Sequence, residues 1–291
     1  MTFRPPAGAR RGQRTRTGSA VTATVLATLC LLALFTPSTT SGYSARITNP
    51  TNKAGTAAYF LCTEAVRADI AGALFAYRLN EATGSAFARD FSNNNTSGTY
   101  RGQMTGDTAA KPACPRDAGG AYTLNGSTSY VSTPTYRASG NTFSIEVWFK
   151  TSTGGGKLIG FGNASTGTST IYDRHLYLTD TGQVVFGVYP NQVKTVVSPL
   201  SYTDGTWHHA VATLSGTGMN LYIDAQKVAT DPATTTGQSY AGYWRIGYDN
   251  LAGWGATQPA NFYYRGSLRF AAAYTTALTP GQVTTHYNAG R

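Results

Sequence analysis

Residues 202–228 restrict this chain more than any other stretch. They read Y-T-D-G-T-W-H-H-A-V-A-T-L-S-G-T-G-M-N-L-Y-I-D-A-Q-K-V. In an extended segment Trp207, His209, Val211 and Thr213 fall on one side, and His208, Ala210, Ala212 and Leu214 on the other. Residues 215–218 turn the chain. Leu221 and Ile223 then alternate with Tyr222 and Asp224, and residues 224–227 turn it again. Apolar side chains at a period of two between glycine-bearing turns predict an antiparallel meander.

The same texture runs through the chain from residue 73 onward. Phe143, Ile145, Val147 and Phe149 alternate with Ser144, Glu146, Trp148 and Lys150, one face against the other. Further short apolar runs lie near residues 73–79, 121–124, 130–132, 157–161, 175–178, 184–188, 193–198, 244–248 and 266–274, separated by turn residues such as Asn125-Gly126 and Asp180-Thr181-Gly182. Thr279 and Pro280 have the types of an N-cap and a first-turn residue, so a short helix is expected there, closed by Gly290. Roughly a dozen strands without a long repeat predict an all-β chain of two packed antiparallel sheets, because one open sheet would expose long edges. Charged residues are only 12% of the chain, about half the usual share, which suits strands and turns.

The net charge of +10 does not indicate a nucleic-acid partner. Arg4, Arg10, Arg11, Arg14 and Arg16 supply half of it, and no basic run with interleaved aromatics follows them. These arginines precede V-T-A-T-V-L-A-T-L-C-L-L-A-L-F at residues 21–35. A basic start and about 15 apolar residues predict a secretory signal over residues 1–42, cut near Gly42; the alternative is an uncleaved anchor. After cleavage no stable membrane span is expected, and the protein is expected to be secreted, extracellular or held at the cell surface. Cys30 would leave with the signal. Cys62 and Cys114 would remain in an oxidising compartment and are expected to pair; the alternative is two buried thiols. Residues 43–70 read as a Thr/Asn/Ala-rich lead-in without a strong core pattern.

Several motifs in order resemble one family. Y-R-L-N-E-A-T-G-S and D-F-S-N-N-N come first, then A-Y-T-L-N-G-S-T-S-Y-V, T-F-S-I-E-V-W-F-K and D-G-T-W-H-H-A-V-A-T, and last G-S-L-R-F-A-A-A-Y-T-T-A-L-T-P-G-Q-V-T-T-H-Y-N-A-G. Together they resemble the laminin-G-like, or concanavalin A-like, jelly-roll domains. The resemblance runs from about residue 71 to residue 290, and residues 71–291 are expected to form that domain. It implies a two-sheet β-sandwich (jelly roll) with a short C-terminal helix, and a glycan- or protein-binding role needing no cofactor. Some relatives bind Ca²⁺ at the sandwich rim. The closing strand of this family commonly carries an acidic pair where this chain has Arg269 and Phe270, which argues against that site. Asp90, beside Asn93, Asn94 and Asn95, is the remaining oxygen cluster that could hold such a hard cation; the alternative is a self-solvated polar turn.

Catalysis finds little support. Retaining glycosidases need two carboxyl groups facing one sugar bond. The glutamates are Glu64, Glu81 and Glu146, and no strand carries two carboxylates in alternation. His208 and His209 point to opposite faces and do not converge on one ion. Asp173, Arg174 and His175 lie near Ser169 in sequence, which is no sign of a triad. Binding through loops fits better. The loop at residues 249–261 combines Asp249, Asn250 and a Trp254 set between glycines, with Tyr243 and Tyr263 on its flanks. Aromatic faces stack on sugar rings and Asn or Asp fix hydroxyls. Either Trp254 is exposed for a ligand or it plugs the sandwich. The Tyr172-Asp173-Arg174 corner is a second candidate surface. The expected function is a non-catalytic module binding a polysaccharide or other glycan; the alternative is a structural or adhesive protein binding an extracellular protein.

Overall fold

The computed structural model describes residues 58–108 and 112–291. The expected signal, with Cys30, and most of the lead-in lie outside these residues. Two antiparallel sheets form a sandwich, as expected. The first sheet runs, edge to edge, through Gln226–Asp231, Gly218–Ile223, Trp207–Ser215, Phe143–Lys150, Arg265–Tyr274, Ala121–Asn125 and Thr105–Asp107, with Ala73–Tyr77 also paired to Arg265–Tyr274. The second runs through Lys194–Ser201, Gln183–Val188, Tyr172–Leu178, Lys157–Gly162, Ala241–Ile246, Tyr130–Ser132, Gly98–Arg101 and Phe87–Ala88.

The meander at residues 202–228 forms the strands its alternation predicts. Ala210, Ala212 and Leu214 join Ile145, Val147 and Phe149 in the core between the sheets. Val211 and Trp148 face the opposite side of the first sheet. Asp224 and Ala225 link two strands with both residues at positive φ, 52° and 65°, the geometry of a type I′ hairpin turn. The Asp224 carboxylate accepts the His209 amide at 2.8 Å and pairs with His208 Nδ1 at 2.7 Å. The histidines that invited a metal reading therefore serve the hairpin and the packing, one on each face.

Two helices cover the outer side of the first sheet. α1 is Cys62–Ala68 and α2 is Pro280–Gly290. The Thr279 hydroxyl accepts the Gln282 amide, and the Gln282 side chain returns to the Thr279 amide, a capping box readable from sequence. α1 lies within the lead-in, where the sequence offered no core pattern, yet it buries Cys62, Ala65 and Val66. Its first amides donate to the Asp117 carboxylate, Cys62 at 2.7 Å and Thr63 at 3.2 Å. The Asp117 cap comes from far along the chain, while the local part is limited to Glu64, which accepts the Leu61 amide at 3.2 Å.

Cys62 and Cys114 are bonded, as expected, which fastens α1 to the loop carrying Asp117. Arg269, which stands where the family commonly has an acid, is buried and donates to the Ala113, Asp117 and Ala118 carbonyls of that loop. The position is thus used to anchor the disulfide loop.

Asp90 does not offer a cation site. Its carboxylate accepts from the amides of Ala76, Ser92 and Thr96 and from the hydroxyls of Ser92 and Thr96. Five donors occupy about four lone-pair positions. Burial raises its pKa, and the Ala76, Ser92 and Thr96 amides outweigh that and hold it below the usual carboxylate range. The Asn-rich turn is a knot tied by Asp90, which is the self-solvated polar turn given as the alternative to a cation site.

Candidate functional site

The strand Tyr172–Leu178 is bulged between Asp173 and Leu176, and Arg174 sits at φ 55°. A bulge re-aims the side chains around it. Here it buries Asp173 and Arg174 as an ion pair at 2.7 Å. The Asp173 carboxylate also accepts the amides of Arg174 at 2.6 Å, Tyr189 at 2.7 Å and Gln238 at 2.5 Å. Arg174 reaches on to the Gly140 and Gln238 carbonyls at 3.1 and 2.9 Å. One buried pair therefore draws three distant segments to one end of the second sheet. Burial raises the Asp173 pKa, and the Arg174 charge with these amides opposes the rise.

The long loop after residue 247 settles on the outer face of the same sheet. Leu251 and Trp254 pack on Tyr177 and Val185. Two glycines make room for it. A Cβ on Gly187 would lie 2.3 Å from the Trp254 ring, and one on Gly162 would lie 2.3 Å from both the Asp249 carboxylate and the Ser169 hydroxyl. Trp254 is only 3% exposed and meets His175 edge to face at 4.5 Å. Of the two alternatives for Trp254, the buried one holds: the Gly187 slot swallows the indole.

Asp249 is likewise buried. It accepts the Ser169 amide and hydroxyl at 3.1 and 2.7 Å, the Asn250 amide at 2.7 Å, and Arg245 at 3.3 Å. Ser169 is thus committed to Asp249, and His175 has no part in a triad with it. Asn250 donates to the Ser169 carbonyl, and its own carbonyl accepts Lys157 Nζ at 2.8 Å. Burial pulls the Lys157 pKa down to about 7 and that of His175 well below the imidazole range. Asp249 and Asn250 are scaffolding of the loop, facing protein. Tyr263 stacks on Tyr248 at 3.6 Å, and Tyr243 pairs with Tyr136 at 5.2 Å. These four expected partners do not line a common site with Trp254.

What Trp254 does line is a cavity of about 330 Å³, together with Ile171, Tyr172, Tyr189, Val193 and Gln238. It lies where the Tyr172 corner meets the Trp254 loop, so the two surfaces expected separately meet at one cavity. Ile171 and Tyr189 are 38% and 36% exposed. The Tyr172 hydroxyl donates to the Ala252 carbonyl at 2.8 Å, closing the loop over the corner. No acidic, basic or imidazole side chain lines the cavity. Ile171, Tyr189, Val193 and Gln238 were missed from sequence. They converge only through Asp173 and the sheet pairing, and no local pattern announces that.

A second cluster was also missed. On the outer face of the first sheet Glu146 is buried beneath both helices and is held by His286, His209 and Tyr274. Only a small gap of about 10 Å³ adjoins it, so it serves the packing of helices on sheet. Cys62, Cys114 and Asp117 also lie together, but the two sulfurs are bonded to each other.

Comparison with known proteins bears on the fold. A family model described as the concanavalin A-like lectin/glucanases superfamily matches residues 125–284, more than half of the chain. No curated protein matches. Among solved structures, the binding domain of Paraclostridial Mosquitocidal Protein 1 superposes with TM-score 0.53 at 14% identity, covering 75% of this chain and 52% of that one. The receptor binding domain of botulinum neurotoxin C/D mosaic serotype gives 0.51 at 13%, covering 75% and 51%. Trypanosoma rangeli sialidase in complex with sialic acid gives 0.50 at 13%, covering 75% and 33%. The chain spans about half the length of the two toxin domains and a third of the sialidase. At such identity the likeness concerns the fold.

Proposed function

Since the chain belongs to the concanavalin A-like lectin/glucanases superfamily, we propose that it is a secreted, non-catalytic carbohydrate-binding module whose site is the cavity between Tyr172, Tyr189 and Trp254. The observation that carries this reading is the lining of that cavity. Aromatic and aliphatic walls, with Gln238 and Thr170 as uncharged polar groups, suit the faces and hydroxyls of a neutral sugar. A cavity of about 330 Å³ accommodates one or two sugar rings at the usual scale of ligand pockets, roughly 300–1,000 Å³.

The absence of carboxylates from its lining speaks for binding over hydrolysis, because glycoside hydrolysis uses a pair of them. The sialidase likeness carries no activity to this chain, which spans only a third of that enzyme. The toxin neighbours are named as binding and receptor binding domains, which agrees with a binding role for this fold. Residues 1–42 are read as the secretory signal, and a Cys62–Cys114 disulfide suits an oxidising compartment. Among the described residues no helix is long and apolar enough to cross a membrane.

The test is glycan-array binding by the purified protein beside Tyr189→Ala. That change trims an exposed ring and keeps the backbone amide that Asp173 holds. Specific binding to neutral glycans, lost in the variant, is expected. Silence of the folded protein on the array would turn the search to an extracellular protein partner.

A further inference from the structure

A second cavity, of about 410 Å³, is walled by Leu74, Phe143, Phe161 and Trp244. The first two come from the first sheet and the last two from the second, so it opens between the layers. Trp244 meets Phe143 at 5.9 Å and Phe161 at 5.1 Å, which makes a continuous aromatic wall. The volume lies within the usual range of small-molecule sites. No carboxylate lines it, and one cation does, Arg137.

Arg137 is half-buried and belongs to the short strand Arg137–Ala138, paired with Ala241–Ile246. Its guanidinium makes no hydrogen bond or ion pair with any described residue. The fully buried arginines each hold at least one fixed partner, although Arg245 Nε and Nη2 and Arg269 Nε have none. Arg174 pairs with Asp173, Arg245 with Asp249, and Arg269 with three carbonyls. Part of this side chain still meets water, and its partial burial lowers the Arg137 pKa, with Tyr77 opposing. An apolar wall beside an uncommitted guanidinium has a definite complement: an apolar body bearing a planar anion, which a guanidinium fork matches in geometry.

We propose that this cavity is a second ligand site, taking a small carboxylate with an apolar body that lies against Phe143, Phe161 and Trp244 while the carboxylate pairs with Arg137. The site shares none of its lining with the sugar cavity and stands independently of it.

Titration calorimetry of the purified protein with 4-phenylbutyrate and with the matching alcohol, 4-phenylbutanol, tests it. The acid is expected to bind at least about tenfold more tightly than the alcohol, as a charge-assisted bond implies. Arg137→Gln is expected to remove that preference and leave the alcohol unchanged, with circular dichroism verifying the fold. Tyr189→Ala, in the sugar cavity, is expected to leave the acid's affinity as it was. The proposal is overturned by no binding of the acid, by equal affinity for acid and alcohol, by an Arg137→Gln protein that still prefers the acid, or by loss of binding in Tyr189→Ala.

Discussion

The Glu146 carboxylate and the His286 imidazole are bonded at 2.8 Å across 140 residues of sequence. The bond runs from a central strand of the first sheet to α2, and both side chains are 2% exposed. The other His286 nitrogen pairs with Asp69 at 3.0 Å, just beyond α1. His209 stands 3.3 Å from Glu146 on the adjoining strand. One buried charge thus ties both helices to the sheet.

His286→Ala should therefore be strongly destabilising. Removing one partner of a buried pair leaves the other uncompensated, at a cost of about 3–5 kcal/mol. Urea unfolding of the variant beside the parent measures this. A loss under 1 kcal/mol, roughly the worth of an exposed pair, would mean that water or His209 satisfies Glu146 instead.

The same bond sets a pH window. Burial alone would lower the His286 pKa, but Glu146 and Asp69 outweigh it and lift the value to about 10. A raised value gives stability that is complete below the unfolded 6.5 and fades as pH climbs through about 10. Burial raises the Glu146 pKa, and the charges and bonds of His286 and His209 overcome this and hold it well below 4.5. Its share is present above 4.5 and is lost on acidification. Lys157, lowered to about 7, works against the alkaline loss, since its neutral form is the one the fold prefers. His286→Gln should consequently flatten the decline in melting temperature between pH 7 and 10. Parallel curves for variant and parent would contradict the assignment.

Gly187→Ala should displace Trp254. The new methyl would arrive 2.3 Å from the indole ring, and overpacking of this kind costs about 1–3 kcal/mol. Tryptophan emission should shift to the red as the ring leaves its slot, and glycan binding should fall with it. An unchanged spectrum would show that the loop absorbs the methyl without moving the ring.

Much of the fold was legible because its signals are local. The alternation at residues 143–149 and 207–214 needs no partner to be read, and α2 carries its own cap in Thr279, Pro280 and Gln282. α1 takes most of its cap from Asp117, and its only local marks are Glu64 in the first turn and Arg67 in the last. The candidate site divides in the same way. The glycines and aromatics around Trp254 marked the loop as unusual, while its burial depends on Gly187 of another strand. Tyr189 and Gln238 reach the cavity through one carboxylate, that of Asp173. Alternation along residues 143–150 shows no second acid beside Glu146, because its partners arrive from Trp207–Ser215, Arg265–Tyr274 and α2.

Reduction of the Cys62–Cys114 bond, which closes a loop of 52 residues, should remove roughly 4 kcal/mol on the chain-entropy estimate. Thermal melts with and without a reductant measure the loss. Thiol titration of the unfolded, unreduced protein should find neither cysteine free, and two free thiols would contradict the bond.

A neutral glycan is proposed to occupy the cavity of Tyr172, Tyr189 and Trp254. Amide chemical-shift mapping with the oligosaccharide that binds best on the array tests it most directly. Saturable shifts centred on Ile171, Tyr189, Gln238 and Gly253 are expected, with little change around Arg137. Shifts centred elsewhere, or none at saturating sugar, would contradict it.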